Sequence, residues 1–376
     1  ARQPPHSDHW DLGLATAGYD VLMALADKDA NANVLVSPTS LGMAFALLGE
    51  GAEGDTRSAL MEALGLPEGA GFGALGALGE TLTAPMDGVA LSLANGLWAA
   101  EDLTMKPPFK DAVAKNFGAE LASVDFHKPE TRVSINRWFE TATQGRIPEM
   151  FADLPTDTRI VLGNALHFKA TWATPFDPAK TQEGAFAAPT GAVQVPMMSH
   201  SFSRLSHMDE PAWSAIKLPF SGGHHELIIV LPKEGQSAGE TLPCMGCAGE
   251  PPRWTRPSGW AATRVEVTLP RFSVSSGGDV TESVRETRLG AALKPDADFG
   301  GISDEAIQID QVVHRVSFSV DEQGAEAAAA TGLIGTRSMQ SEPVVFKVDR
   351  PFLAVIRHVP TDTILVAGLI RNPTTP

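Results

Sequence analysis

The sequence predicts an α+β fold, because segments with helical and strand periodicity alternate along a chain with no visible domain boundary. Apolar residues recur at helical spacing near the N-terminus, whereas short β-branched runs such as residues 227–231 are typical of buried strands. No linker rich in Pro, Gly and Ser divides the 376 residues, and no internal repeat is present. A hydrophobic content of 43% is sufficient for one large core.

The charge balance excludes several classes of partner. The chain carries 29 basic and 45 acidic residues, a formal net charge of −16. Nucleic-acid affinity depends on clustered Lys and Arg, which such a chain lacks. No apolar run approaches the ~18 residues that a membrane helix needs. We therefore expect a soluble protein with neither a nucleic-acid nor a membrane partner.

The N-terminal region predicts two helices around a short strand. Residues 10–29 have the apolar spacing of an amphipathic helix, and residues 34–36 form a buried β-branched run. Ser37 is a candidate N-cap of the next helix. Pro38 then occupies the first helical position, where its missing N–H costs nothing.

The middle of the chain predicts two long strands with a helix between them. Residues 89–98 and 158–172 are long apolar runs typical of buried strands. Residues 131–144 place their apolar side chains on one helical face, and Gly145 suits the C-cap.

Three motifs with catalytic or cofactor associations lack the context that their chemistry requires. Residues 71–76 match a dinucleotide fingerprint, but no strand precedes them. Residues 225–229 begin like a zinc-protease helix but end in Ile229, where a second histidine ligand is required. Cys244 and Cys247 have no partner pair and no βαβ context.

We therefore predict no metal, no cofactor and no enzymatic activity, and the chain also lacks a G-x-S-x-G nucleophile motif. Two cysteines do not make a disulfide framework, so Cys244 and Cys247 are interpreted as an incidental loop pair that is able to form a disulfide. A redox or metal enzyme built on this pair is the alternative.

The segment from Ser319 to Pro343 predicts no single secondary structure. A β-branched alternation ends at Val320, and an alanine run then lies between Gly324 and Gly332. A helix of so few residues is marginal in water, so the segment is poised between states. In extended form, one face carries only small or uncharged side chains. From this window alone, an alanine-rich surface helix or linker is the favoured interpretation.

Independent stretches resemble one family, the serpins, and they follow the family's order over more than nine tenths of the chain. These stretches are residues 33–40 with 51–56, 164–172, 269–272, 297–303, 320–331 and 349–353. The resemblance is to inhibitory members, and a prokaryotic source is expected.

The resemblance implies a fold and a mechanism. The fold is a single domain, residues 1–376, with a mixed central β-sheet A, sheets B and C, about eight or nine helices, and an exposed reactive-centre loop at about 322–343. The mechanism is that of a suicide substrate. A serine protease cleaves the loop and forms an acyl-enzyme, and the freed loop inserts into the central sheet.

The resemblance also assigns the hinge and the reactive bond. The hinge comprises Glu322, Gly324, Ala325, Glu326, Ala327, Ala328, Ala329, Ala330 and Thr331, with Ala325 standing where many inhibitory members have Thr or Ser. Family spacing places the scissile bond after Ser338, but Arg337 fits the acidic pocket of trypsin-like proteases. Met339 suits chymotrypsin-like or elastase-like targets. We rank Arg337 first, then Ser338, then Met339.

Further residues carry over to the region under the central sheet, called the shutter, and to the point where insertion begins, called the breach. The shutter residues are Ser37, Ser40, Asn164 and His314. Trp172 matches the breach aromatic, and Glu322 with Arg271 matches a hinge ion pair. Residues 236–260 depart from the family pattern.

The expected partners are serine proteases held in a covalent acyl-enzyme complex, with the inhibitor itself a monomer. Heparin-activated serpins carry a basic helix in the region that corresponds to residues 66–90. These residues contain no Lys or Arg here, so no heparin-type cofactor is expected. The chain begins without Met or an apolar signal region, and an extracellular or periplasmic location is expected. The alternative function is a serpin-fold binding or chaperone protein that does not inhibit.

Overall fold

The computed structural model describes residues 10–67, 69–236, 253–256, 258–323 and 342–375. Within these ranges the α-helices are α1 (Trp10–Ala26), α2 (Pro38–Gly49), α3 (Gly54–Ala63), α4 (Gly73–Leu82), α5 (Pro107–Asn116), α6 (Pro129–Ala142) and α7 (Thr281–Arg285). Short 3-10 helices cover Pro178–Lys180, Ser221–Gly223, Arg253–Thr255 and Arg288–Leu293. None of the described helices is long and apolar enough to cross a membrane.

The β-strands are interspersed with the helices along the chain. They are β1 (Val34–Val36), β2 (Val89–Ala100), β3 (Glu120–Val124), β4 (Ile160–Ala170), β5 (Gln182–Ala188), β6 (Gly191–Asp209), β7 (Trp213–Pro219), β8 (His225–Pro232), β9 (Ala261–Pro270), β10 (Phe272–Asp279), β11 (Gln311–Val320), β12 (Val344–Lys347), β13 (Phe352–His358) and β14 (Thr363–Ile370).

Five strands form a mixed sheet in the order β10-β11-β4-β2-β3. Strand β10 is antiparallel to β11, and β2 is antiparallel to β4, whereas β4 and β11 run parallel in direct contact. The β4–β11 pairing joins residues 161–168 to residues 311–318 and is called the seam below.

A second sheet follows the order β1-β14-β13-β8-β7-β6-β9-β12, with β5 paired to β6. Strand β12 runs parallel to β9, and only Glu342 and Pro343 separate it from the segment 324–341. The two ends of that segment therefore start from different sheets, at β11 in one and β12 in the other.

The large core lies between the sheets, and α2 is its central helix. Every residue of α2 is buried, because the helix lies under β2 and β4 and also contacts β14. The predicted cap is present: the Ser40 N–H donates to the Ser37 hydroxyl oxygen at 3.1 Å, and Pro38 follows the cap. The same sequence signal that starts the helix thus fixes its position beneath the five-stranded sheet.

Helix α6 covers the opposite face of that sheet and closes a smaller core. Phe139 on α6 is fully buried and packs at 5.4 Å between ring centroids against Trp98 of β2. The sheet makes room through Gly163, where an added Cβ would lie 2.6 Å from the Phe139 ring. Glycine in β4 therefore sets how closely α6 approaches the sheet.

The element bounds confirm most sequence predictions and correct the ends of two helices. The helix predicted over residues 10–29 spans Trp10–Ala26. The predicted helix at 131–144 spans Pro129–Ala142, but its cap lies at Thr143 and not at Gly145. Gln144 adopts a positive φ of 53°, and the Gly145 N–H donates to the Glu140 carbonyl at 2.6 Å. This is a Schellman ending, in which Gly145, which also has a positive φ of 78°, lies one residue beyond Gln144.

Replacing Gly277 in β10 by alanine is expected to lower the free energy of unfolding by at least about 2 kcal/mol. Gly277 has a φ of +129°, and an added Cβ would lie 2.0 Å from the His314 carbonyl oxygen. Denaturant unfolding would measure the loss. The matched control is Gly71→Ala, which places its methyl group in open space. Equal unfolding midpoints for the two variants would contradict this account.

Candidate functional site

The seam is continuous with the segment to which the sequence assigns the hinge. Strand β11 ends at Val320, and Asp321, Glu322 and Gln323 follow it at the end of the seam. The direct pairing of β4 with β11 means that the sheet is closed along its centre. The site therefore has two described parts, a polar network beneath the seam and a set of contacts that hold residues 321–323.

His314 of β11 is the centre of the polar network. Its side chain is fully buried, and its Nε2 accepts the backbone N–H of Ser37 at 3.0 Å. The ring proton must then lie on Nδ1, which donates to the Asn164 side-chain oxygen. Because His314 and Asn164 are register partners on β11 and β4, this bond ties the two strands of the seam together.

The Asn164 amide extends the network to α2 and β2. Its Nδ2 donates to the Ser40 carbonyl at 2.7 Å and the Ser40 hydroxyl at 2.6 Å, and also contacts the Asn95 side-chain oxygen. Asn95 is the register partner of Asn164 on β2, and no sequence motif pointed to its role. The structure thus brings together Ser37, Ser40, Asn164 and His314, with Asn95 added; we call these five residues the shutter network.

Burial keeps the shutter network neutral. Desolvation lowers the pKa of His314 from its usual 6.5 to about 3, so the ring is uncharged at neutral pH. The neutral ring is also the form that the geometry requires, because Nε2 accepts a hydrogen bond from Ser37. A proton on Nε2 would remove that acceptor and bury a charge.

The residues that follow β11 are held by hydrogen bonds that Trp172 and Phe176 donate to their backbone carbonyls. The Trp172 indole Nε1–H donates to the Asp321 carbonyl at 2.8 Å, and the Trp172 backbone N–H donates to the Gln323 carbonyl at 3.1 Å. The Phe176 N–H donates to the Glu322 carbonyl at 2.8 Å. We call these contacts, together with those of the Glu322 side chain, the hinge clamp.

The Glu322 side chain is nearly buried and bonds two partners. Thr181 donates its hydroxyl to Oε1 at 2.8 Å, and the Arg271 Nη1 lies 3.5 Å from the same oxygen. The Arg271 side chain is half exposed, so solvent screens the ion pair and its contribution is under about 1 kcal/mol. The sequence anticipated the ion pair but gave no sign of the Thr181 contact.

Aromatic packing makes Trp172 a rigid base for the hinge clamp. Its ring stacks on Phe220 at 4.4 Å with an interplanar angle of 9°, and Phe220 lies 5.4 Å from Phe168 of β4. Trp172 also contacts Phe176 edge-on at 6.1 Å. The two residues that donate to the backbone carbonyls, Trp172 and Phe176, are thereby fixed against the end of β4.

The remaining assigned residues lie outside the described residues. These are Gly324, Ala325, Glu326, Ala327, Ala328, Ala329, Ala330 and Thr331 of the hinge, the reactive-bond residues Arg337, Ser338 and Met339, and the pair Cys244 and Cys247. Their assignments stay predictions from the sequence.

Comparisons with known proteins agree on a single family over nearly the whole chain. The family model described as Serpin (serine protease inhibitor) matches residues 13–373. The leukocyte elastase inhibitor of Bos taurus is 31% identical over 367 residues, which cover 94% of this chain and 97% of the relative. A serpin-like protein of Thermococcus kodakarensis is 33% identical over 365 residues, covering 94% of this chain and 84% of the relative.

Among solved structures, human thyroxine-binding globulin in complex with its ligand superimposes with a TM-score of 0.85. It is 26% identical, and the match covers 97% of this chain and 98% of that chain. The two-sheet arrangement described above is therefore the fold of this family.

The neutrality of His314 predicts a loss of stability in acid. The pKa of His314 in the folded protein lies below its value of 6.5 in the unfolded chain. The contribution of this ring to the free energy of unfolding is therefore complete above pH 6.5 and decreases as the pH falls towards 3. At pH 4.5 the loss from this group is about 2–3 kcal/mol. Unfolding by denaturant between pH 7.5 and 4.5 would measure it.

A His314→Gln variant is expected to have a shallower dependence of stability on pH than the parent protein. The control is His127→Gln, which replaces an exposed histidine outside the shutter network. Parallel slopes for the parent and His314→Gln would refute the role of this ring.

Proposed function

The chain belongs to the serpin family, and on that premise we propose that it inhibits serine proteases as a suicide substrate. In this proposal the target protease cleaves the loop between β11 and β12 and forms an acyl-enzyme. The freed loop then enters the seam as a new central strand and carries the protease with it. The observation that carries the proposal is the parallel pairing of β4 and β11, from whose end the loop departs.

The strand directions favour insertion at the seam over any other position beside β11. A loop that turns back after Val320 runs antiparallel to β11 and therefore antiparallel to β4 as well. Between β10 and β11 the same loop would be parallel to β10, because those two strands are antiparallel. One parallel ladder is thus replaced by two antiparallel ladders, whose hydrogen bonds are more favourable per residue.

The sequence of the loop suits this position. Alternate residues of an inserted strand face the core beside Phe168 of β4 and Phe318 of β11, both of which are already fully buried. Ala325, Ala327 and Ala329 add only methyl groups on that face. An inserted residue therefore gains backbone hydrogen bonds without displacing core side chains.

The length of the inserted segment explains how a protease is inactivated. From Gly324 to Arg337 an extended strand spans about 43 Å at ~3.3 Å per residue. The tethered protease is carried to the far end of the sheet, and its catalytic serine is pulled away from the oxyanion donors. Losing even one such donor slows deacylation by about 10²–10³.

The chemistry at the reactive bond favours a trypsin-like target. An Arg337–Ser338 bond offers a guanidinium to an acidic specificity pocket, while Ser338 or Met339 would suit elastase-, chymotrypsin- or subtilisin-like proteases. One relative carries the name of an elastase inhibitor, so both target classes belong in the test. The protein acts as a monomer in an extracellular or periplasmic compartment. Helix α4 carries no basic residue, in keeping with inhibition that needs no heparin-type cofactor.

The second candidate is a carrier or chaperone that uses the same fold without inhibition. It is favoured by the similarity to thyroxine-binding globulin, which was solved with its ligand bound. The two candidates differ in what they require of the loop, since a carrier does not depend on covalent trapping. The unbroken alanine tract after Gly324 supports the inhibitor.

Incubation with trypsin, and separately with elastase-like and subtilisin-like proteases, is expected to give a detergent-resistant band at the summed mass of inhibitor and protease. Sequencing of the released C-terminal peptide then identifies the scissile bond, with Arg337–Ser338 expected for trypsin. Denaturing gels across a range of protein-to-protease ratios are the measurement. An Ala327→Glu variant is expected to be cleaved without trapping, because insertion would bury its charge.

Loop cleavage without a covalent band at every ratio, and with every protease, would exclude the inhibitor and favour the carrier or chaperone. Equal trapping by Ala327→Glu and the parent would instead exclude insertion of the alanine face as the trapping step.

The hinge clamp is expected to slow spontaneous insertion of the loop. A Trp172→Phe variant keeps the aromatic stack but loses the indole bond to the Asp321 carbonyl, so insertion is expected to be roughly threefold to tenfold faster. The appearance of a heat-stable form on warming measures this rate. Trp260→Phe is the control, because it loses an indole bond to the Arg256 carbonyl instead. Equal acceleration in both variants would contradict a specific role of Trp172.

A further inference from the structure

His167 lies on the seam, on the face opposite to the shutter network. It is the register partner of Ser317 on β11 and of Ser92 on β2, so its ring sits at the centre of three strands. The side chain is 6% exposed. Its Nδ1 is buried and has no hydrogen-bond partner among the described residues. The shutter network does not include this ring, since Asn164 and His167 point to opposite faces of β4.

We propose that His167 is an acid-sensitive catch of the seam, whose protonation speeds the separation of β4 from β11. The inference rests on the proposed function, because it concerns the regulation of the same insertion. In the closed seam the neutral ring is buried between Ser317 and Ser92. In the opened seam the ring reaches water and accepts a proton.

The groups around the ring oppose a proton in the closed state. Arg146 approaches from the segment after α6, and Lys169 lies two residues away on the same face of β4; both are cations that disfavour a charged ring. On the facing strand, Arg315 is the register partner of Ala165 and lies on that same face. Ser317 contributes a backbone hydrogen bond that partly favours the proton. Ser92 is the uncharged neighbour from β2. Burial, followed by Arg146 and Lys169, lowers the pKa of His167 to about 4.

Opening of the seam removes the burial of the ring, which is the largest of these effects on the pKa of His167. Insertion of a strand separates β4 from β11 by a further ~4.8 Å, which removes Ser317 from the ring and admits solvent before the new strand is fully paired. The pKa of the exposed ring then approaches the ordinary value of 6.5. By linkage, protons favour the open state at every pH below about 6.5.

The size of the effect follows from the two pKa values. With about 4 in the closed seam and 6.5 in the open one, lowering the pH from 7.5 to 5.5 speeds opening by about tenfold. A neutral solution therefore preserves the inhibitory form, whereas an acidic one converts it to the inserted form without any protease.

The test uses the full chain and a synthetic peptide that copies residues 324–336. The peptide competes for the seam, and its insertion is measured as the rate at which a heat-stable complex appears at pH 7.5, 6.5 and 5.5. We expect the parent protein to convert about tenfold faster at pH 5.5 than at pH 7.5. His167→Gln and His167→Phe are expected to vary by less than about twofold over the same range. Two variants are used so that poor folding of one of them still leaves the inference testable.

The matched control is His358→Gln, since His358 is also buried and its pKa is also lowered to about 4, but it lies on β13, which pairs with β14 and β8 and not with the strands of the seam. It is expected to keep the acid acceleration of the parent. A rate that is independent of pH in the parent, or acceleration that persists in both His167 variants, overturns the inference. So does the absence of peptide insertion at any pH.

The same samples are mixed at pH 7.5 with trypsin and, separately, with elastase-like and subtilisin-like proteases, which separates this inference from the proposed function. Peptide insertion that depends on His167, without covalent trapping, leaves the catch in place and excludes the inhibitor. Covalent trapping together with a pH-independent insertion rate supports the inhibitor and excludes the catch at His167.

Discussion

The parallel pairing of β4 with β11 is the constraint on which the rest of the structure depends. The two strands are paired directly with each other along residues 161–168 and 311–318. Because both run in the same direction, one additional strand placed between them would pair antiparallel on both sides. Helix α2 lies beneath it and α6 in front of it, so separation of the strands disturbs both cores. The closed sheet is therefore held by the surrounding contacts as well as by its own hydrogen bonds.

The contacts that hold the sheet closed are polar, and they act through their direction more than through their strength. The apolar side chains beside the seam, including Phe168 and Phe318, are already buried, so hydrophobic burial does little to distinguish the closed sheet from one with an added strand. The shutter network does distinguish them, because the His314–Asn164 bond requires the two strands to be neighbours. Buried polar networks of this kind specify one arrangement at a modest cost in stability.

Local sequence signals predicted the elements but not the contacts between distant ones. The Ser37–Pro38 start of α2 and the strand at 34–36 follow from capping chemistry and β-branched runs, and the family resemblance supplied the positions of His314, Asn164 and Trp172. Asn95 and Thr181 had no such signal. Asn95 lies in an apolar strand and meets Asn164 only through the β2–β4 register, and Thr181 meets Glu322 across 141 residues. Register between separated strands is set by tertiary packing, which periodicity does not encode.

The order of these contacts along the seam sets the order of events in its opening. Residues 321–323 and Trp172 lie at the end from which the loop enters, the His167–Ser317 pair comes next, and the Asn164–His314 pair lies further in. A strand that enters from that end must release the hinge clamp before it reaches the shutter network. Changes at Trp172 therefore act on the start of insertion, whereas changes at Asn164 act on its completion. The chain thus controls a single rearrangement at separate points, each with its own chemistry: an indole hydrogen bond at Trp172, a buried imidazole at His167 and the shutter network.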